Sequence, residues 1–460
     1  MSAAGRARDP SGTALPRIVA PPPGPRSREL AARAAARETA PAVGFLDTPP
    51  IGWATARGAN VVDVDGNRYV DLTGGFGAAM VGHRNPRVVA AVERQAKRLV
   101  HALGDAAPHP ERVALAAELS TRGPIRGGRV YFAGSGAEAV DLALKTAHLA
   151  SGRPGVVAFE GGYHGTSLGA LRATSRAAFR VPFEDALARA TLRVPFADPY
   201  RCPYGVSARS CGPTCLEAAL AEIDAWIGDL SKPRLGALIV EPVLGREGVV
   251  FPPAGWLAAL GRAARERKLL VVADEILTGG GRTGRMWASA PLEPDLAVVG
   301  KGITGGMPLA AVIGRSDVMA SWESPGEARH TTTFMAHPLA VVGARAALAE
   351  IRRRDLPARA RTIARAFRAG LEQIRRHRAV GDARGAGGLW GIDLVADRAS
   401  RAPDAPAARA VSAGLAARGY LALAGGRHGN VIVLTPPLTI TARQIAGFLA
   451  ALDDALADKG

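Results

Sequence analysis

This chain of 460 residues carries only six lysines among its 58 basic side chains, and Lys301 is placed unlike the other five. Lys97, Lys145 and Lys268 fall in segments patterned as solvated helix, Lys232 in a Pro-flanked loop and Lys459 at the terminus. Lys301 instead follows the apolar run Leu296-Ala297-Val298-Val299 and opens the glycine-rich stretch Gly302-Ile303-Thr304-Gly305-Gly306. An amine at the end of a buried strand is desolvated, and its pKa falls toward the neutral, nucleophilic form that Schiff-base chemistry requires. A second apolar run, Leu269-Leu270-Val271-Val272-Ala273, ends in Asp274-Glu275. A buried acid and a buried amine, both at strand ends, point to a pyridoxal phosphate site. The competing reading is a lysine that merely ends a strand, so the weight falls on the surrounding motifs.

The elements that must position these groups can be read from apolar periodicity. Short apolar runs at 129–133, 155–159, 192–196, 235–240, 269–273, 295–299 and 310–314 are predicted strands. Helical patterns at 137–150, 215–227 and 255–267 lie between several of them, which implies an α/β layered domain with a mostly parallel, seven-stranded sheet. Ahead of this domain, residues 61–72 alternate around Asp65-Gly66-Asn67 as a hairpin, and a short helix is expected near 27–38. Helical patterns follow at 86–100 and 111–119. After Pro338 come two Ala/Arg-rich helices, strands near 388–395 and 431–434, and a last helix from Thr441, a smaller α+β domain. The expected division is a mobile Pro/Arg-rich tail (1–25), an N-terminal segment (26–84), a large domain (85–340) and a small C-terminal domain (341–460). No internal repeat is evident.

Composition narrows the classes. A hydrophobic content of 48% with 22% charged residues fits a soluble globular protein, and no apolar run reaches membrane-spanning length. The N-terminus lacks a charged region followed by an apolar core, so no signal peptide is read and the expected compartment is the cytoplasm. The net charge of +17 raises nucleic-acid binding. The arginines are dispersed over Ala-rich helices without interleaved aromatics, which argues against that partner. Cys202, Cys211 and Cys215 cluster in one segment. A closed zinc site wants four ligands at tighter spacing, and no histidine is near, so reduced thiols in a loop insertion are the favoured reading, with a metal or a regulatory thiol pair as the alternative and no metal assigned.

Three further motifs bear on the site. Ala133-Gly134-Ser135-Gly136-Ala137 joins a strand to a helix, where backbone N–H groups and the helix dipole favour a phosphate and Ser135 adds a hydroxyl. Tyr163, on the glycine-flanked loop Gly161-Gly162-Tyr163-His164-Gly165, is suited to stack on a flat heterocycle, although a buried structural tyrosine fits the pattern equally well. Gly279-Gly280-Gly281-Arg282-Thr283-Gly284 fits a dinucleotide-loop pattern, but no helix signal follows it and that reading is rejected.

In order, Gly134-Ser135-Gly136-Ala137-Glu138, Tyr163-His164-Gly165, Glu241-Pro242, Asp274-Glu275 with Gly281-Arg282-Thr283-Gly284, and Lys301 with Gly306-Met307-Pro308-Leu309 resemble the class III aminotransferases, which are fold-type-I pyridoxal phosphate enzymes. The resemblance runs from Pro25-Arg26-Ser27 through His330-Thr331-Thr332-Thr333-Phe334 to Pro436-Pro437-Leu438, nearly the whole chain. It implies that Lys301 carries the cofactor and shuttles the substrate proton, and that Asp274 pairs with the pyridine nitrogen. It further implies that Ile276 and Tyr163 flank the ring, and that Ser135, Gly136 and Ala137 hold the phosphate. Thr333 would reach the phosphate from a neighbouring subunit, making a homodimer with shared active sites.

The sequence departs from the family where substrate is recognised. Members acting on ornithine or 4-aminobutyrate usually carry Arg where this chain has Thr166, and glutamate users carry Arg where it has Val433. Neither side chain can imitate the planar fork of a carboxylate clamp. Glu241, which normally meets the second Arg, becomes a candidate for a cationic substrate group, and Arg427 or Arg246 a candidate replacement clamp. Leu277 and His337 replace a common Gln and Asn. The resemblance therefore implies transfer of a primary, terminal amino group to a 2-oxo acid by a ping-pong route. A diamine, ω-amino compound or amino-sugar-like donor is favoured over 4-aminobutyrate. The alternative is a racemase, epimerase or decarboxylase on the same scaffold.

Overall fold

The structure, a computed structural model, describes residues 11–39, 50–187, 190–323 and 325–458. The chain forms two compact units, one of residues 87–353 and one joining residues up to 86 with 354–460.

The unit of residues 87–353 is built on a seven-stranded sheet. Its strands are β1 (Arg129–Ala133), β2 (Gly155–Phe159), β3 (Thr191–Val194), β4 (Leu235–Val240), β5 (Leu270–Asp274), β6 (Leu296–Val299) and β7 (Ala310–Gly314). Their spatial order is β1-β7-β6-β5-β4-β2-β3. Only β7 runs against its neighbours; the other pairings are parallel. All seven strands expected from the sequence form; the central β2, β4, β5 and β6 are apolar runs covered on both faces, as parallel strands must be, while β1 and β3 lie at the edges and are only partly buried. Alternate residues feed two apolar layers. Val157, Phe159, Leu238, Val240, Val271 and Ala273 face one, while Val156, Ala158, Ala237, Ile239, Val272 and Val298 face the other. Helix α1 (Gly136–Ser151) packs in the second layer and α2 (Ala208–Gly228) in the first.

Helix α2 begins seven residues before the expected start at 215. Gly212 and Pro213 read as loop breakers, yet Pro213 lies close enough to the N-terminus that few backbone bonds precede it. The Gly279–Gly284 segment forms successive turns and no helix, in keeping with the rejected dinucleotide reading.

In the other unit the expected hairpin forms as Asn60–Asp63 and Arg68–Asp71. Trp53–Arg57 adds an antiparallel strand that the sequence reading left out. The sequence reading separated the N-terminal segment from the C-terminal domain. In the structure they share a sheet, because Tyr420–Leu421 pairs in parallel with Arg68–Asp71. The helix Pro338–Arg353, expected to open the small domain, instead belongs to the unit of residues 87–353. A second sheet is ordered Val380–Ala386, Leu389–Asp397, Val431–Leu434, Leu423–Gly425. Its first strand escaped notice because Val-Gly-Asp-Ala-Arg-Gly-Ala has little apolar content and depends on pairing with the apolar Leu389–Asp397. Among the described residues no helix is long and apolar enough to cross a membrane.

Residues 11–24, composed like a mobile tail, run along the hairpin; residues 1–10 lie outside the described residues. Arg17 and Arg68 exchange both backbone hydrogen bonds. The buried Asn67 accepts from the backbone N–H groups of Val19 and Ala20 at 2.7 and 3.0 Å, and donates to Asp63 at 2.8 Å. Buried side-chain amides thus supply the order that composition could not reveal. Asn67→Ala should cost about 1–3 kcal/mol by leaving buried partners unpaired. Thermal melting should shift down and limited proteolysis should cut within 11–24 first. A digestion pattern identical to that of the unaltered protein would count against this docking.

Candidate active site

Asp274 is the last residue of β5, and its register partner on β6 is Val298, three residues before Lys301. Both groups therefore emerge at the carboxyl ends of adjacent parallel strands, where open α/β sheets place their ligand crevices. Lys301 adopts φ +42°, the left-handed region that L side chains rarely occupy. Burial lowers the Lys301 pKa, the nearby Asp274 and Glu241 pull the other way, and Arg246 and Arg282 reinforce burial; the net shift is downward.

Asp274 is braced on both oxygens. Oδ1 accepts from the Ile276 N–H at 3.1 Å, and Oδ2 accepts from His164 Nδ1 at 2.8 Å. His164 is fully buried. Burial lowers its pKa, but the bond to Asp274 and the charges of Asp274 and Glu241 outweigh burial and raise it above the ordinary histidine range. The adjacent Glu275 has a different duty. It is buried, accepts from the Ser289 N–H at 2.5 Å and from the Thr278 hydroxyl, and so ties the 275–289 loop together.

The Tyr163 loop is held by Glu241. One carboxylate oxygen accepts from the Tyr163 N–H at 2.9 Å and the other from the Gly245 N–H at 3.2 Å. Burial pushes the Glu241 carboxyl up; His164 opposes this and Asp274 adds to it, leaving a pKa of about 7. The Arg246 guanidinium lies over the Tyr163 ring at 4.7 Å and over the Phe179 ring at 5.5 Å.

These groups line one cavity of about 200 Å³ together with Gly136, Ala137, Thr166 and Ile276. Two glycines keep its floor open. A Cβ at Gly136 would stand 2.9 Å from Ile276 Cδ1, and one at Gly165 (φ +123°) only 2.6 Å from the Ala137 Cβ. Ser135 caps α1, its oxygen accepting from the Glu138 N–H at 3.2 Å, so its hydroxyl hydrogen remains available beside the first helical N–H groups.

Of the residues singled out from sequence, Lys301, Asp274, Tyr163, Ile276, Gly136, Ala137, Glu241 and Thr166 meet at this cavity. Thr333 is exposed and does not line it. Arg427 is exposed in the turn between Leu423–Gly425 and Val431–Leu434 and belongs to the other unit. In the sequence His164 stands only as a neighbour of Tyr163 in the Gly161–Gly165 motif. Its partner stands 110 residues away, a separation that no local pattern bridges. Arg246, one of two substitute clamps considered, is in the cavity.

Comparison with known proteins agrees with this geometry. Residues 46–456 match the sequence profile described as aminotransferase class-III. The chain is 35% identical over 436 residues to a 4-aminobutyrate aminotransferase of Mycobacterium tuberculosis, covering 92% of this chain and 94% of that one. It is 32% identical over 457 residues to an alanine/serine racemase of Pyrococcus horikoshii, covering 96% and 93%. An omega transaminase of Pseudomonas jessenii in complex with PMP superimposes with a TM-score of 0.87 at 26% identity, covering 93% and 98%. The chain belongs to the class-III aminotransferase family and is an aminotransferase of fold type I. That family uses pyridoxal phosphate, and the opened glycine cradle, the desolvated amine and the braced carboxylate suit such a group.

The Glu241 shift carries a sign that can be tested. A folded-state pKa raised above the unfolded value stabilises the fold fully below the unfolded pKa, and this contribution is lost as pH rises through about 7. The stability of the native protein relative to Glu241→Gln should therefore fall as pH is raised from about 4.5 to about 7.5. A difference in melting temperature that stays flat across this window would remove the assignment.

Proposed function

We propose that this class-III aminotransferase holds pyridoxal phosphate in the Lys301–Asp274 cavity and moves a primary, terminal amino group from an amine or amino-acid donor to a 2-oxo acid. The reading rests above all on one juxtaposition: a half-buried lysine whose amine pKa is lowered and a braced buried carboxylate at adjacent strand ends of one cavity. When bound, the cofactor supplies an electron-accepting ring that acidifies the hydrogen on the amine-bearing carbon.

Lys301 Nζ is the point of attachment, and its lowered pKa favours the neutral amine needed both to attack a carbonyl and to take a proton. With the cofactor bound and the lysine free of it, the same nitrogen would be the group placed to take the proton from the substrate carbon and to return it. Asp274 offers its carboxylate to a protonated ring nitrogen, and His164 fixes that carboxylate's orientation from behind. Tyr163 and Ile276 flank a flat ring, while the N–H groups of Gly136 and Ala137 and the Ser135 hydroxyl receive the phosphate.

Thr166 lines the cavity where a carboxylate-clamping Arg would stand in 4-aminobutyrate and ornithine enzymes. A donor without a far carboxylate, such as a diamine, an ω-amino compound or an amino sugar, brings no unpaired anion to this wall, and Glu241 in the same cavity is the group placed to meet a cationic far end. For the oxo-acid carboxylate, Arg246 is the favoured partner, since its guanidinium already lies at the cavity.

A homodimer with shared sites completes the reading. Thr333 neighbours an exposed apolar patch in which Leu103 is 71% and Phe334 63% exposed, with Val100 beside them. The 99–104 segment abuts the 332–337 segment through His101, whose ring centroid is 5.4 Å from that of Phe334. A second copy covering this patch would bring Thr333 to the partner's phosphate. A racemase is the second reading, raised by the Pyrococcus horikoshii relative.

The decisive experiment follows the visible absorption of the holoenzyme during addition of an amine panel without oxo acid. Bleaching by particular terminal amines, reversed by a 2-oxo acid and absent in Lys301→Ala, is expected. Inversion of a chiral amino acid without release of an oxo acid would establish the racemase instead, and a protein that takes up no pyridoxal phosphate would refute both readings. For the clamp, Arg246→Ala should raise KM for the oxo acid about 10- to 100-fold, the range lost with a charge-assisted hydrogen bond. A KM that changes in Arg427→Ala but not in Arg246→Ala would transfer the role to Arg427.

A further inference from the structure

The three cysteines lie outside the chemistry described so far, and the fold brings them together. Cys202 sits in the loop after β3, while Cys211 and Cys215 lie in the opening turns of α2. The Cys202 and Cys215 sulfurs are 3.7 Å apart and those of Cys211 and Cys215 are 3.5 Å apart. All three fall within 4.8 Å of one another, and none is in a disulfide. We propose that these sulfurs form a three-thiolate site for a thiophilic d10 cation, zinc(II) in the first instance, with water from the half-exposed Cys202 side as fourth ligand.

Three observations carry this beyond apolar packing of thiols. First, the Cys202–Cys215 and Cys211–Cys215 separations match the about 3.8 Å that metal–sulfur bonds of about 2.3 Å at tetrahedral angles require, and the third pair lies within 4.8 Å. Second, the Cys202 sulfur receives the backbone N–H groups of both Tyr204 and Val206. The turn that aims them closes with the Gly205 N–H donating to the Cys202 carbonyl at 3.0 Å, and Gly205 has φ +66°. Two N–H donors directed at one sulfur suit a charged, metal-bound sulfur far better than a neutral thiol, which is a weak acceptor. Third, Cys211 and Cys215 are buried among Phe196, Ile223 and Trp256, an apolar shell that excludes competing water from bound metal.

A Cys211–Cys215 disulfide fits less well. Residues four apart on a helix hold their Cβ atoms about 5–6 Å apart, whereas a disulfide needs about 3.5–4.5 Å, so a Cys211–Cys215 bridge would require α2 to open. Metal binding needs no such movement. Each thiol yields its proton to solvent as its sulfur binds, no electron is transferred, and the cation clips the 195–207 loop to the start of α2.

The test uses holoenzyme purified without chelator under reducing, anaerobic conditions. Elemental analysis should find one zinc per chain, or one copper(I), and a thiol reagent should reach the cysteines only after a chelator has stripped the metal. Stripped protein reloaded with cadmium(II) should give a cadmium-113 resonance in the thiolate-rich range. Cys202→Ser, the mildest change because Cys202 is only half buried, and Cys215→Ala should each lower metal content at least about tenfold. Metal-free protein with three reactive thiols that takes up neither zinc(II) nor cadmium(II) would overturn the proposal. So would a Cys202–Cys215 disulfide found by intact mass, or metal content unchanged in both variants.

Discussion

A lysine amine withdrawn from water at the end of β6, with two carboxylates buried beside it, is the constraint that the unit of residues 87–353 is arranged to satisfy. A buried ammonium is costly, and a buried carboxylate is no cheaper. Their proximity lets charge be shared among Lys301, Asp274, Glu241 and His164 without any member being stranded. Parallel strands make this possible. Their near-continuous apolar runs bury both faces and end together, so chemistry-bearing residues collect at one edge of the sheet. The left-handed backbone at Lys301 marks where the chain leaves the strand to accomplish this.

Three acids close in space and sequence illustrate how environment divides labour. Asp274 is held by an imidazole and a backbone N–H, with capacity left on the cavity side. Glu275, one residue later and therefore on the other side of the strand, spends both oxygens on its own loop. Glu241 uses its oxygens to dock the Tyr163 loop against the Gly245 turn, and burial brings it close to neutrality. The position of the Tyr163 loop is thereby linked to the protonation of a group in the same cavity. A substrate cation approaching Glu241 would favour its ionised form and so strengthen the hold on that loop.

Much of this was legible in the sequence because it depends on patterns with a strong physical period. Seven apolar runs between helical segments announced the sheet, and the two runs leading to Asp274 and Lys301 placed both residues at the strand ends that line one cavity. What escaped notice depends on partners far away in the chain. The strand Val380–Ala386 exists because of its neighbour, and the docking of residues 11–24 rests on the buried amides of Asn60 and Asn67. His164 had no readable role until folding brought it to Asp274. The helix through Gly212 and Pro213 was misplaced because local propensity pointed to a loop, whereas tertiary burial of Cys211 and Cys215 outweighs it.

The alternation of side chains along the sheet separates the two special sites of this unit. Val272 and Val298 point into the layer that holds α1, and Asp274 shares their parity on β5. Ala273 and Ala297 point the other way, into the layer where α2 and its cysteines pack. The N-terminus of α1 and the paired charges thus belong to one layer, and the thiol cluster to the opposite one. A cation held by the cysteines would act on the anchoring of a loop and a helix through the far face of a rigid sheet, with no direct electrostatic route to the Lys301 amine that avoids the strands between. The cysteine cluster and the Asp274 carboxylate therefore answer to opposite sides of the same seven strands.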